Sequence, residues 1–310
     1  MPIPTATPAR CGRSDPAAVT GSSLLWVEQA LNGLQYGVSL FLLAAGLTLV
    51  FGIMNLVNLA HGSLYMLGAY FAATVQGWTG SFLIALPVAV LGAGLVGLVL
   101  ERSVLRHFYG RDHLDQVLCT FGVILLANEV VRMVWGSAGR RFDLPAALGG
   151  SVRLLPGLDY PVFRLMVIGV GLCVAAGLWA LVTRTRLGML IRAGASDRVM
   201  VQALGVDIGV LFSLVFALGA ALAGLAGATL GPLLAVQPGM GEGVLILTLV
   251  VVVIGGIGSV RGAFLAALLV GLADTFGRVL MPAAFGSMVV YLVMAGILVW
   301  RPRGLLPAHG

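Results

Sequence analysis

The stretch that decides the fold runs from Gln29 to Leu100 and reads QALNGLQYGVSLFLLAAGLTLVFGIMNLVNLAHGSLYMLGAYFAATVQGWTGSFLIALPVAVLGAGLVGLVL. It contains no Asp, Glu, Lys or Arg. As an α-helix with a rise of 1.5 Å per residue it would be about 108 Å long, enough for three crossings of a hydrocarbon core about 30 Å thick. Polar breaks near residues 55–62 and 76–80 divide it, and the second segment is short enough to favour a tilted or re-entrant helix. The predicted membrane segments cover about residues 33–54, 63–76 and 82–100.

The rest of the chain continues this pattern. Of the 310 residues, 59% are hydrophobic and only 10% are charged, against about 25% charged in an average soluble domain, so a soluble fold is excluded. We predict an all-α, polytopic transmembrane helix bundle of about nine segments, with eight or ten also compatible with the sequence. We expect a disordered leader at residues 1–23, a membrane domain at 24–303 and a short tail at 304–310. The six further segments cover about residues 117–135, 162–183, 209–234, 244–257, 262–281 and 284–300.

The charged residues exclude several kinds of chemistry. All eighteen basic residues are Arg, so the chain has no lysine for a Walker A loop or a Schiff base. Cys11, Cys119 and Cys173 are too far apart for a disulfide framework or a zinc site. The arginines lie mainly between apolar segments and do not form the basic runs of a nucleic-acid-binding protein. We therefore predict no catalytic residues, no metal site and no nucleic-acid partner.

The distribution of arginines predicts an orientation in the membrane. With nine crossings, the loops 101–116 and 184–207, Arg261 and the C-terminus share one side. That side carries ten arginines and the other carries eight. The excess in short loops predicts that the first side is cytoplasmic, with the N-terminus outside, although a re-entrant first hairpin would reverse the N-terminal side.

The most informative loop lies at residues 184–207, where Arg184 to Val206 reads RTRLGMLIRAGASDRVMVQALGV. It predicts a short helix with Ser196 as its N-cap, Asp197 at the positive end of the helix dipole and Gly205 in the left-handed position after the C-terminus. Two apolar pairs at i,i+4 spacing give this helix one apolar face. Such a helix suits docking into a groove of a soluble partner or lying flat at the lipid interface. The pairs are Val199–Ala203 and Met200–Leu204.

Glycine-rich and small-residue patterns predict close helix packing. The sequence GGIGSVRG at residues 255–262 is too rich in glycine for a helix interior and predicts a tight turn between segments, at a candidate subunit contact. Small residues at every fourth position favour static packing of helices over a substrate-lining interface. The turn glycines are Gly255, Gly256, Gly258 and Gly262. The two stripes are Gly219, Ala223, Gly227 and Gly231, and Ala263, Ala267 and Gly271.

A few polar residues lie within or beside the apolar segments. Asn55, Asn58 and His61 are candidates for a translocation path, although a structural hydrogen bond at a helix end is the favoured interpretation. Asp274 lies one turn before Arg278, and an i,i+4 ion pair near the membrane face is favoured there. Glu242 opens an apolar segment, where an interaction with the helix dipole explains it.

Several stretches resemble the branched-chain amino acid permeases of ABC importers (LivH type). The pattern RLG…IRA…D…A…LG at 186–205 resembles their coupling loop, and Asn58, Ala60, His61 and Gly62 match an N-x-A-H-G element. Residues 216–232 resemble the segment that follows the coupling loop. Residues 250–271 resemble the GGIGS-x-x-GA turn, with Arg261 where the family often has proline. The resemblance covers roughly residues 30–303.

This resemblance implies a non-catalytic transmembrane subunit of the bacterial inner membrane. It would pair with a second, similar permease subunit, with two ABC ATPase subunits that bind ATP and Mg²⁺, and with a periplasmic binding protein. The chain itself would bind no cofactor. The resemblance assigns ATPase contact and loop geometry to Arg192, Ser196, Asp197, Val199, Ala203, Leu204 and Gly205.

Other functions remain as alternatives. The same architecture could import urea, short amides or sugars instead of branched-chain amino acids. An ion-coupled secondary transporter would need acidic residues at the membrane midplane, and the segments offer only Asp274, near an end. A membrane-embedded hydrolase would need a Ser/His or HExxH constellation, and none is apparent.

Overall fold

The computed structural model describes residues 16–140, 142, 148–282 and 285–306, with side chains from Leu24 onward. The regular elements of these residues are eleven α-helices, one β-hairpin and a 3-10 helix at Leu105–Phe108. The helices before the hairpin are α1 (Pro16–Met54), α2 (His61–Thr79), α3 (Phe82–Ser103) and α4 (His113–Trp135). The hairpin strands are β1 (Ser151–Leu155) and β2 (Leu158–Pro161). The remaining helices are α5 (Val162–Arg184), α6 (Arg186–Ser196), α7 (Arg198–Ala203), α8 (Ile208–Leu230), α9 (Met240–Gly255), α10 (Val260–Leu280) and α11 (Met288–Trp300).

Apolar helices occupy all nine of the predicted segments. In the described part of the chain, six of them are long and apolar enough to cross a membrane, namely α1 from Leu24, α3, α4, α5, α8 and α10. The apolar helices α9 and α11 have 16 and 13 residues and are shorter, and α2 has 19. The predicted all-α polytopic bundle is thus confirmed, and it includes the expected short helices.

The connection between α1 and α2 turns back into the bundle. The ring Nε2 of His61, the first residue of α2, lies 3.1 Å from the carbonyl oxygen of Leu43 in α1. Leu43 is eleven residues before the end of α1 at Met54, which corresponds to about 16 Å along the helix. Residues 55–60 therefore run back along α1, and α2 begins inside the bundle, which agrees with a re-entrant second segment.

Glycines bring the central helices into backbone contact. A Cβ on Gly68 of α2 would lie 2.3 Å from the Cα of Gly224 in α8, and one on Gly271 of α10 would lie 2.3 Å from the backbone nitrogen of Gly37 in α1. Gly219, Ala223 and Gly227 of the predicted stripe are buried on α8, and Gly231 is buried directly after the end of this helix. These stripes therefore pack helices together, as favoured from the sequence.

Three local features differ from the sequence-based expectations. The predicted loop at 136–160 contains the β-hairpin, in which Leu155 pairs with Leu158 around the two-residue turn Pro156–Gly157. The loop at 184–207 contains two helices, α6 and α7, where one was expected. The helix α1 begins at Pro16, within the predicted disordered leader, and proline is well suited to a first helical turn. The rest of that leader, residues 1–15, and residues 307–310 of the predicted tail lie outside the described residues.

The loops predicted to share one side of the membrane meet at one end of the bundle. There Glu101 of α3 bonds to Ser213 of α8, and the backbone N–H of Leu306 donates to Gly255 O. At the opposite end, Arg140 pairs with Val236 through their backbones. We call the first end, formed by residues 104–112, 185–207, 256–259 and 301–306, the arginine-rich end.

Candidate coupling surface and membrane path

The helices α6 and α7 are punctuated by different residues from those expected. Thr185 caps α6, where its side chain accepts a hydrogen bond from the backbone N–H of Gly188 at 3.1 Å. Ser196 is the last residue of α6, so its assignment as the N-cap of the coupling helix is wrong. Asp197 caps α7, because its Oδ1 accepts from the backbone N–H of Met200 at 3.0 Å. The predicted left-handed position after α7 is confirmed, since Gly205 has a φ of 87°.

The helix α7 presents an apolar face to the outside of the chain. The side chains of Val199, Met200 and Leu204 are 78%, 58% and 76% exposed, and Ala203 is exposed beside them. On the other face of the helix, Val201 is buried against the bundle. The predicted apolar face is therefore present and uncovered, and the exposed Arg192 lies on the preceding helix α6.

Contacts with α8 hold α7 in place. The guanidinium carbon of Arg198 lies 5.5 Å from the centre of the Phe212 ring, a cation–π contact. Asp207 caps α8, where its Oδ1 accepts from the backbone N–H groups of Gly209 at 2.8 Å and Val210 at 3.2 Å. Residues 185–207 thus form a packed element with one exposed apolar face.

A buried acid at the arginine-rich end was missed from the sequence. Glu101 was placed in a charged loop, yet it lies in the last turn of α3 and is only 1% exposed. Its Oε2 accepts a hydrogen bond from the Ser213 hydroxyl at 2.6 Å, and its Oε1 accepts one from the Tyr109 hydroxyl. Burial, together with the hydrogen bond to Glu101, raises the pKa of Tyr109, so the phenol stays protonated and donates.

The structure brings together two of the three candidate path residues. Asn58 and His61 are almost fully buried, and the predicted structural hydrogen bond of His61 is the contact with Leu43 of α1. The side-chain atoms of Asn58 and the Nδ1 of His61 have no hydrogen-bond partner among the described residues. Asn55 is separate from them, exposed at the end of α1 with a φ of 50°.

A second polar group lies where α4 meets α9. The side-chain amide of Asn128 donates to Glu242 Oε1 at 2.7 Å, and its oxygen accepts from the backbone N–H of Gly239 at 3.1 Å. Glu242 lies in the first turn of α9, as expected for a helix-dipole interaction. Its hydrogen bond to Asn128 was not foreseen, because nothing in the sequence pairs two residues 114 positions apart.

The intramembrane acid Asp274 has the partner that its spacing predicts. It is 4% exposed, and its two carboxylate oxygens accept from the Arg278 guanidinium at 2.8 and 3.1 Å. This confirms the i,i+4 ion pair.

The glycine-rich segment forms the predicted tight turn between α9 and α10. Gly256 and Gly258 have φ values of 97° and 79°, and a Cβ on Gly262 would lie 1.9 Å from the carbonyl oxygen of Gly255. The backbone N–H of Leu305 donates to Ile254 O at 2.8 Å, so the C-terminal residues pack on the turn. The role of this glycine-rich turn as a subunit contact stays a prediction.

Comparison with known proteins identifies similar chains. A sequence model of the family described as "Branched-chain amino acid transport system / permease component" matches residues 29–298. The high-affinity branched-chain amino acid transport system permease protein BraD of Pseudomonas aeruginosa is 30% identical, over 91% of this chain and 95% of that one. Two Escherichia coli proteins of the same kind, LivH and LivM, are 27% and 30% identical. LivH is matched over 91% of this chain and 96% of its own, and LivM over 86% and 67%.

Proposed function

This chain belongs to the permease-component family of branched-chain amino acid transport systems, and from this membership we propose that it forms the membrane path of an ATP-driven importer of branched-chain amino acids. It is a multi-pass protein of the bacterial inner membrane. The chain is similar along most of its length both to LivH and to LivM, two permease proteins of one organism. That similarity supports pairing with a second, homologous permease subunit.

The exposed apolar face of α7 is the observation that supports the coupling role. Val199, Met200 and Leu204 are largely exposed at the arginine-rich end, which the arginine distribution predicts to be cytoplasmic. An apolar helix face there suits a groove on a soluble ATPase subunit. Two such subunits would bind ATP and Mg²⁺. A nucleotide site on a partner agrees with the sequence of this chain, which has no lysine for a phosphate-binding loop. A periplasmic binding protein would deliver substrate at the opposite end.

The ion pair of Asp274 argues against an ion-coupled transporter. Such a transporter needs an acidic group that can exchange its ion within the membrane, whereas both oxygens of Asp274 are bonded to Arg278. Import of urea, short amides or sugars on the same architecture remains the second candidate for the solute.

Uptake by the reconstituted complex tests this proposal. The chain is placed in proteoliposomes with its permease partner, ATPases and binding protein, and radiolabelled leucine uptake is measured with ATP or with a non-hydrolysable analogue. We expect uptake only with ATP, and competition by unlabelled isoleucine and valine but not by urea. Uptake that an ion gradient drives without ATP would contradict the importer, and competition by urea alone would favour the second candidate.

Deletion of residues 196–204 tests the coupling segment separately. We expect the shortened chain to insert in the membrane but to lose its ATPase subunits on purification. Recovery of those subunits at full stoichiometry would show that the coupling segment lies elsewhere.

A further inference from the structure

A continuous set of side-chain contacts joins α7 to the interface between α3 and α8. Arg198, the first residue of α7, lies over the ring of Phe212, and Tyr109 meets the same ring edge-on, with ring centres 5.3 Å apart. The Tyr109 hydroxyl donates to Glu101 of α3, and Glu101 accepts from Ser213 of α8 at 2.6 Å. We call these five residues the Arg198–Ser213 connection.

The inner part of this connection is buried and fully bonded. Glu101, Phe212 and Ser213 are 1%, 5% and 6% exposed. A buried carboxylate is costly unless hydrogen bonds compensate for its lost hydration, and here each oxygen of Glu101 accepts from a different hydroxyl. Close-packed groups transmit a displacement because they have little free space to absorb it.

The helices joined by Glu101 remain in close contact further into the membrane. A Cβ on Gly97 of α3 would lie 2.3 Å from the Cβ of Ala220 in α8, and one on Gly224 of α8 would lie 2.5 Å from the Cβ of Ala93 in α3. A displacement applied where Glu101 meets Ser213 therefore acts on two helices that pack together along most of their length.

We propose that the displacement of α7 reaches α8 directly, where Arg198 contacts Phe212, and that the Arg198–Ser213 connection carries it on to α3, with Tyr109 and Glu101 as positioning residues for transport. The inference rests on the proposed function, because it requires an ATPase that moves α7. It goes further in assigning the transmission to a particular hydrogen-bonded acid. Cutting the connection should uncouple hydrolysis from transport while the subunits stay assembled.

Two variants cut the connection on opposite sides of the acid. Tyr109→Phe keeps the ring against Phe212 but removes the donor to Glu101, and Ser213→Ala removes the donor from α8. In the reconstituted complex we expect wild-type subunit stoichiometry and ATP hydrolysis, but a decrease of about five-fold or more in the leucine transported per ATP hydrolysed. The matched control is Ser103→Ala, whose hydroxyl lies at the same end of α3 and donates only to Val99 O. It should leave the ratio unchanged.

The transport-to-hydrolysis ratio separates transmission from a purely structural role. If uptake and hydrolysis fall together in either variant, or if neither changes, the ratio is unaltered and the inference is wrong. Loss of assembly in both variants would show that these contacts only hold the fold together, which also overturns it. Failure of the wild-type complex to take up leucine with ATP would contradict the proposed function itself.

Discussion

At the scale of single residues, glycines set how closely the helices of this bundle approach. A Cβ on Gly68 would lie 2.3 Å from the Cα and 2.6 Å from the carbonyl oxygen of Gly224, and neither backbone atom can move without shifting α8. A Cβ on Gly77 of the same helix would meet no atom within 4 Å. Alanine substitutions at Gly68 and at Gly77 therefore separate the effect of a methyl group at a helix contact from its effect on helix propensity.

We expect Gly68→Ala to destabilise the protein and Gly77→Ala to leave its stability unchanged or slightly raised. Overpacking of a close contact costs about 1–3 kcal/mol, whereas replacing glycine by alanine in an exposed helix gains up to about 1 kcal/mol. Thermal unfolding in detergent, followed by tryptophan fluorescence, measures both. Equal midpoints for the two variants would show that α2 and α8 do not pack at Gly68.

Asp197 is the residue on which the start of α7 depends. We expect Asp197→Ala to cost about 1 kcal/mol of local helix stability, because the backbone N–H of Met200 loses its acceptor. ATPase co-purification should then weaken, whereas Asp197→Asn, which keeps a capping oxygen, should retain it. Asp197→Asn is thus the matched control for Asp197→Ala, because it changes the same position and keeps the capping oxygen. Equal weakening by Asp197→Asn and Asp197→Ala would contradict this assignment.

At the scale of elements, the proposed docking of the apolar face of α7 can be tested by comparing a charge placed on that face with a charge placed on the polar face of the same helix. Leu204→Glu places a charge on the apolar face at the C-terminal end of α7, and Gln202→Glu places the same charge on an exposed polar position of α7. If the face docks on an ATPase, Leu204→Glu should weaken association by about 2 kcal/mol or more, the cost of a hot-spot residue. Titration of purified ATPase onto the permease in detergent measures this. Equal weakening by both variants would mean that any added negative charge on α7 weakens binding, whether or not it lies on the apolar face.

The sequence predicts the long elements well and the short ones poorly. Uninterrupted apolar runs place α1, α3, α5 and α8 because each run is as long as a membrane crossing. The helix α6 was missed because its charged residues also suit a loop, and its cap, Thr185, directly follows a basic residue. The hairpin was missed because its strands are short, although Pro156–Gly157 is a recognised turn signal.

The candidate site divides in the same way. Gly205 was predicted from a local rule: a helix commonly ends with a residue of positive φ, and glycine is the residue that adopts this conformation most readily. The cap shifted from Ser196 to Asp197 because neighbouring Ser and Asp are both good caps and the sequence alone does not decide between them. Glu101 and Asn128 could not be predicted, since their partners Ser213 and Glu242 lie more than 110 positions away along the chain.

At the scale of the whole molecule, one end of the bundle carries more arginines than the other. The arginine-rich end and the helix termini beside it carry ten of the eighteen arginines. Among the described residues, five arginines lie toward the opposite end, and the remaining three, Arg10, Arg13 and Arg141, lie outside the described part of the chain. This excess predicts that the end carrying α7 faces the cytoplasm. The ten arginines are Arg102, Arg106, Arg111, Arg184, Arg186, Arg192, Arg198, Arg261, Arg301 and Arg303.

Single cysteines at the two ends can test this orientation directly. Arg111 and Ser151 are both exposed, the first at the arginine-rich end and the second on the hairpin at the opposite end. In a background with the three native cysteines replaced by alanine, we expect a membrane-impermeant maleimide to label Ser151→Cys in intact spheroplasts. Arg111→Cys should be labelled only after lysis, because the positive end of a membrane protein stays in the cytoplasm. The cysteine-free parent is the control for background labelling. The reverse pattern would place α7 outside the cell, where no ATPase could reach it, and labelling of both positions in intact cells would contradict the grouping of loops at the two ends.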